Sequence, residues 1–365
     1  MLKNRPRSPD QPQPAGTDCG GFVIRRVDPL ADPRWDAMRG TVPSDGFFHG
    51  SAWARVLHDT YGFAPAYFTL GEADQTCGLL PIMEVDSWLT GRRGIALPFT
   101  DECDPLVPDA ESFRRVFAAA LEHAKHRAWK YLECRGGMPW FGGAPPSTSF
   151  YGHRLDLAGD ESARWNRVAG AMRRAVRKAE QNGLTIEFSR DLGAVKDFHR
   201  LLCGTRRRLG VPPQPFRFFQ NIHRHILAQN GGWVALVRHG QVAIAGAIFF
   251  HFGRTAIYKY GASDGRFQHF RGNNLVMWEA IRRFAHEGFA ELDFGRTSLT
   301  NEGLRRFKLG WGTKERLIHY FRCNVATGDF VPVRDQSSGW HSRVFRMLPI
   351  PLSRLIGLAL YRHVA

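Results

Sequence analysis

Residues 232–263 carry the pattern that most narrows what this chain can fold into. Three runs rich in β-branched and aromatic residues, GWVALVRH, QVAIAGAIFFHF and RTAIYKYGA, follow one another, and a tight turn at His239-Gly240 joins the first two. Runs of this kind read as neighbouring strands of an antiparallel sheet. Two helical segments precede them, LGAVKDFHRLLCGTRRRLG and PFRFFQNIHRHILAQ, split by the breaker VPPQP. The helix NNLVMWEAIRRFAHEG, the strand FAELDFG, a short helix around Glu302–Leu309 and the strand RLIHYFR come after. Ahead of them the pattern predicts one long basic helix from about Glu161 to Asn182, with Gly183 as its C′ residue, and the strand LTIEFSR. This order specifies an α/β unit whose mixed sheet is mostly antiparallel.

The first part of the chain repeats a shorter version of that order. FVIRRV alternates as a strand, ADPRWDAMRG suggests a short helix, and SAWARVLHDTYG is a helix between Ser51 and Gly62. AYFTL and CGLLPIMEV read as paired strands, SFRRVFAAALEHAKHRAW as an amphipathic helix and YLECR as a strand. The Gly- and Pro-dense stretch GGMPWFGGAPP then marks a connection. At 365 residues the chain has room for two domains. The expected division is a disordered leader over 1–20, a first domain over 21–150, a second, catalytic domain over 151–335 and an amphipathic tail over 336–365.

Composition excludes several classes. The six cysteines are scattered with no CxxC spacing, so neither a zinc site nor a disulfide framework is expected, and a reducing cytoplasm fits best. The leader MLKNRPRSPDQPQPAG is polar and proline-rich, unlike a signal peptide. No G-x-S-x-G elbow, P-loop, H-E-x-x-H or Rossmann fingerprint is present. A net charge of +16 would gather anions, among them a nucleotide-bearing donor, a tRNA or an anionic membrane surface; a generally arginine-rich composition is the other reading. In the tail, the apolar run Leu352–Leu360 is interrupted by Arg354 and is too short to span a bilayer. It is either a surface-lying amphipathic helix or a helix docked on the protein.

Four segments carry candidate chemistry. The helix around AMRRAVRKAEQNG stacks like charges at Arg173/Arg177 and Arg174/Lys178, which suits an anionic partner or a solvated face. The strand-to-helix stretch ASDGRFQHFRGNNLVMWEA places Arg271, Gly272, Asn273 and Asn274 at a helix start, where free amides favour phosphate. In ELDFGRTSLTNEGLRRFKLGWG, Asp293 ends a strand, Arg296 follows in a glycine-containing turn, and Lys308 and Trp311 close the next helix. Arg296 and Lys308 suit an oxyanion or a phosphate, and Asp293 suits proton transfer, although a structural Asp–Arg pair would look the same. In TAIYKYGAS, Tyr258 and Tyr260 alternate on one strand face, as proton donors or as core residues.

Taken in order, FFHGSAWARVLHDTYGFAPAYFTL, CGLLPIMEV, RRGIALPFTDECDPL, AMRRAVRKAEQNGL, CGTRRRLGVPPQPFRFF and ELDFGRTS…RRFKLGWG resemble the FemAB-like branch of the GNAT acyltransferase superfamily, in particular members associated with exopolysaccharide and exosortase systems. The resemblance covers about Gly21 to Arg322. It implies tandem GNAT-like domains and transfer of an acyl or aminoacyl group to an amine. Asp293, Gly295 and Arg296 match the family's D-F-G-R, and Phe307, Lys308, Trp311 and Gly312 match its F-K-x-x-W-G. The resemblance thus implies roles for Lys308, Asp293 and Arg296, with Lys308 touching the reacting carbonyl or donor phosphates, and Tyr258 from the strand TAIYKYGAS completes the expected catalytic set. Arg271, Gly272, Asn273 and Asn274 would hold the donor, although Gln268 lies one residue too far from Gly272 for the Q/R-x-x-G-x-G/A loop. No coiled-coil arm is present, and Asp101–Asp104 (DECD) stands where relatives carry a glycine pair before Pro-Leu.

The expected activity is an N-acyltransferase moving an acyl group from an activated ester or thioester to an amine on a cell-envelope or polysaccharide-related acceptor. Acyl-CoA or another activated acyl donor would be the co-substrate, with no metal and no tightly bound cofactor. A peptidoglycan-type transferase using aminoacyl-tRNA and a non-catalytic basic membrane tether are the alternatives. The expected location is the cytoplasm, with peripheral contact to the inner membrane through the tail. The pocket is expected between the two halves, lined by Tyr258, Asn273, Asp293, Arg296 and Lys308.

Overall fold

The computed structural model describes residues 22–39, 46–71, 76–333 and 345–364, so the expected leader lies outside the described residues. In chain order the first half contains β1 (Val23–Val27), α1 (Trp35–Arg39), α2 (Ser51–Tyr61), β2 (Ala64–Pro65), β3 (Tyr67–Gly71), β4 (Thr76–Leu80), β5 (Met83–Val85), β6 (Arg93–Ile95), α3 (Ala110–His126) and β7 (Tyr131–Arg135). Then come β8 (Thr148–Asp156), α4 (Glu161–Arg167), α5 (Gly170–Gln181), β9 (Thr185–Ser189), α6 (Leu192–Leu209), α7 (Phe216–His225) and the strands β10 (Gly232–His239), β11 (Val242–Phe252) and β12 (Thr255–Ser263). The chain continues through α8 (Gly272–His286), β13 (Glu291–Ser298), α9 (Glu302–Leu309), β14 (Lys314–Asn324) and α10 (Ile350–Leu360).

β1, β3 and β4 form a small antiparallel sheet. The main sheet has the order β2-β5-β6-β7-β14-β8-β13-β12-β11-β10-β9. Its pairs are antiparallel except β6 with β7 and β12 with β13, one parallel pair in each half. This is the mixed, mostly antiparallel α/β architecture that the element order calls for. The expected boundary at residue 150 falls inside β8, and β14 lies between β7 and β8. The two halves therefore share hydrogen bonds along one sheet rather than meeting side by side.

They also share a core. On one face of the sheet, Trp53, Leu57 and Leu97 from the first half pack with Phe198, Phe218 and Phe250 from the second, and all are fully buried. The opposite face is covered by α5 and α8, over Phe249, Trp278, Phe284, Phe294 and Trp311. Burying side chains of this size contributes about 1.5–3 kcal/mol each, so separating the halves would forfeit the part of this shared core that spans them.

Two local expectations need correction. The long basic helix is two helices, α4 and α5, broken at Val168 and Ala169. Val168 takes an extended backbone (ψ 130°), and the amide of Ala169 donates to the Gly310 carbonyl at 2.8 Å instead of continuing the helix. The tyrosines do not share a strand face. The β11–β12 register slips between Ile248 and Phe249, which leaves Lys259 bulged, so Tyr258 packs under α8 and Tyr260 packs on the opposite face.

Candidate active site

The D-F-G-R segment is not a strand end followed by a turn. β13 runs through it, and the pairing with β8 gains one residue between Asp293 and Arg296, which is a β-bulge. Gly295 makes the bulge at φ +66°, a conformation that favours glycine. A Cβ there would lie 2.8 Å from the Asp101 carboxylate, so the position is also closed by packing.

Lys308 reaches this bulge from α9. Asn301 caps that helix, its side chain accepting from the Leu304 amide at 3.1 Å. Lys308 is only 2% exposed, and Nζ donates to the carbonyls of Gly295 and Arg296, both at 2.9 Å. Burial pushes its pKa down to about 8, against the opposing pull of Asp101 and Asp293. The two motifs that the sequence suggests should meet do so, but the ammonium is bound into the backbone of the bulge. Substitution here acts on the fold as well as on any chemistry. Lys308→Met, which keeps the apolar stem, is expected to cost about 2–4 kcal/mol by orphaning two buried carbonyls, measurable as a lower urea midpoint at unchanged m value.

A second buried cation lies alongside. Lys259, the bulged residue of β12, donates to Asp101 Oδ2 at 2.9 Å and sits over the rings of Phe48, Trp53 and Tyr260 at 5.2, 5.9 and 5.6 Å. Burial pushes the Asp101 pKa up, but Lys259, Arg296 and Lys308 more than offset this and hold it below the usual carboxylate value. Arg296 stacks over Phe150 at 4.3 Å and donates to the Tyr320 hydroxyl at 2.9 Å, and that hydroxyl in turn donates to the Asp101 carbonyl at 2.6 Å. Asp101 from the first half is thus clamped by β12, β13 and β14 of the second.

Above this layer lies a cavity of about 500 Å³ between the halves. Its wall is rich in carboxylates, Asp101, Glu102, Asp104, Glu291 and Asp293, with Arg154 among them. Arg316 makes a two-pronged ion pair with Glu102, and Arg154 lies 3.4 Å from Glu291 and 3.6 Å from Asp293. Asp293 projects from the last paired position of β12 and β13, opposite Ile257, and beyond it the two strands diverge. Burial raises its pKa, while Arg154 and the Gly295 amide, which donates to Oδ1 at 2.6 Å, pull it back. Asp104 is pushed up to about 6 by burial and by Glu102. His49 closes one side, its Nε2 lying 2.8 Å from the Asp104 carbonyl. A carboxylate with a raised pKa in a hollow beside a diverging strand pair can accept a proton from an arriving ammonium.

Of the residues expected to line the pocket, only Asp293 does so, with Gly295 beside it. Arg296 and Lys308 lie in the wall behind the bulge. Tyr258 faces away, and burial raises its pKa to about 12. Arg271, Gly272, Asn273 and Asn274 gather elsewhere, around a hollow of about 140 Å³ at the start of α8. Arg271 is left-handed at φ +63°, and Asn273 donates to the Ser263 hydroxyl at 3.2 Å. β12 runs between the two hollows, from Thr255 at the cavity to Ser263 at the start of α8. Sequence reasoning did not assign roles to Arg154, Asp104 or Lys259. A single lysine inside an apolar strand, and the DECD cluster itself, were the available signals.

Residues 166–309 match the family described as the acetyltransferase (GNAT) domain. No curated protein matches the chain in sequence. Among solved structures, FemX is similar at a TM-score of 0.64 and 15% identity, over 81% of this chain and 96% of FemX. L-PGS from Bacillus licheniformis is similar at 0.52 and 12%, over 90% of this chain and 98% of that one. A tandem GNAT protein from the clavulanic acid biosynthesis pathway is similar at 0.51 and 11%, over 84% of this chain and all of that one (100%).

Proposed function

From a GNAT acyltransferase domain set in a FemX-like tandem fold, we infer that this chain moves an acyl group from an activated ester or thioester to an amine bound in the carboxylate-lined cavity. The observation that carries the reading is Asp293, which projects into the cavity where β12 and β13 part and whose pKa burial raises. The carboxylates draw in an ammonium, and Asp293 takes its proton. The freed nitrogen attacks the donor carbonyl, whose oxyanion is met by backbone N–H groups on the diverging edge of β12. Collapse breaks the carbon–sulfur or carbon–oxygen bond as the second nitrogen proton passes to the leaving group, and Asp293 returns the first to solvent. The acceptor in this reading is an amine on a cell-envelope or polysaccharide-related molecule. The donor is an acyl-CoA whose phosphates rest at the start of α8 against Arg271.

The test is release of free thiol from acyl-CoA in the presence of amine acceptors. Arg271→Gly suits the left-handed backbone at that position and removes the whole side chain, guanidinium included. It is expected to raise the KM for the acyl-CoA donor about tenfold at unchanged kcat, the scale of one charge-assisted contact. An unchanged KM, with tRNA co-purifying in its place, would move the donor assignment to aminoacyl-tRNA. A non-catalytic tether would release no thiol at all.

A further inference from the structure

α10 packs on the body of the protein with the reverse of the usual polarity. Its buried positions are Ser353 and Gly357, while Leu352, Leu355 and Leu358 are 44%, 63% and 57% exposed. The small residues hold it close, since a Cβ on Gly357 would lie 2.1 Å from the Pro213 carbonyl oxygen. The Tyr361 hydroxyl donates to the Pro212 carbonyl at 3.1 Å. The helix is therefore fixed, with its leucines turned outward.

A distant segment extends the same surface. The turn between β5 and β6 presents Trp88, 84% exposed, and Leu89, 53% exposed. That turn is tied to the end of α10. Ser87 Oγ lies 2.8 Å from His363 Nδ1, Arg93 donates to the His363 carbonyl at 2.7 Å, and the Trp88 ring meets His363 edge-on at 5.4 Å. Residues 336–365 contain four arginines and no acidic side chain, and Arg354 in the helix and Arg362 just beyond its end are exposed. An apolar stripe interleaved with arginines matches a surface that offers hydrocarbon beneath anions. A second copy docked by a twofold would bring these arginines toward their own equivalents. No helix among the described residues is long and apolar enough to cross a membrane.

We propose that α10 and the Trp88–Leu89 turn form an interfacial surface that docks the protein flat on a bilayer containing anionic lipid. The leucines and Trp88 enter the boundary between headgroups and acyl chains, and Arg354 and Arg362 meet the phosphates. This surface is independent of the transfer chemistry. The test is sedimentation of the full chain with phosphatidylcholine vesicles, with and without phosphatidylglycerol. The protein is expected to pellet with the mixed vesicles and to stay in solution with phosphatidylcholine alone. Leu355→Ser/Leu358→Ser keeps every charge, lowers thermal melting only slightly because both side chains are largely exposed, and is expected to lower the partition coefficient about tenfold or more. Trp88→Ala is expected to lower it several-fold. Wild-type binding by the double serine variant would overturn the proposal, leaving only nonspecific attraction of a basic protein. So would absence of vesicle binding combined with a dimer, seen by light scattering, that the same variant dissolves.

Discussion

Asp293→Asn is expected to lower kcat/KM for acyl transfer by about two to four orders of magnitude, the usual contribution of a positioned base, while the melting temperature stays level or rises. The two readouts separate because of the environment of the carboxylate. Burial raises its pKa in the folded protein, so its ionisation opposes folding: the favourable contribution is full at low pH and is lost as pH rises through the raised value. An amide removes that cost near neutrality, and its oxygen still accepts from the Gly295 amide. In the parent protein kcat/KM should fall on the acid side as Asp293 takes up a proton, at a higher pH than an ordinary carboxylate would impose. The variant should lack that limb. An Asn variant with parental kcat/KM would remove Asp293 from the chemistry.

Asp101→Ala is expected to destabilise the protein by about 3–5 kcal/mol, since it strands the Lys259 ammonium, whose side chain is 3% exposed, without its counter-ion. Lys259→Met in the same chain should recover most of the loss, because a buried pair replaced by apolar atoms of similar volume is often neutral. Urea midpoints of the two single variants and the double variant complete the cycle. Additive losses would mean that the two residues do not act as a pair. The result bears on function too, because Asp101 also blocks any side chain at Gly295 and so helps to shape the bulge that presents Asp293.

What could be read from the sequence was what is encoded locally. The β10–β12 strands and helices α6 to α9 follow hydrophobic periodicity and capping, and they fall close to where the pattern places them. The break between α4 and α5 carries no local signal, because Val168 and Ala169 are ordinary residues and the interruption comes from a bond to Gly310, far along the chain. The bulge at Lys259 is equally silent in the sequence, because strict alternation is the default for a strand, and it reverses the facing of one tyrosine. At the site, the D-F-G-R and F-K motifs were recognisable as partners, since both lie within one stretch of sequence. The cavity was not, because its carboxylates come from the loop at 101–104 and from β13, which only the tertiary fold brings together. The DECD cluster was visible, but nothing in its neighbourhood along the chain indicated that Lys259, Arg154 and Arg316 would surround it.

The insertion of β14 between β7 and β8 has a consequence for biogenesis. As the polypeptide leaves the ribosome, the strands that will flank this slot emerge early, and each presents an open edge until Lys314–Asn324 has been made. The amino-terminal portion cannot close its sheet on its own, so maturation waits until the chain through Asn324 has been translated. Truncation before residue 314 should leave aggregation-prone material instead of a smaller working unit, and chaperone dependence should be greatest in that interval.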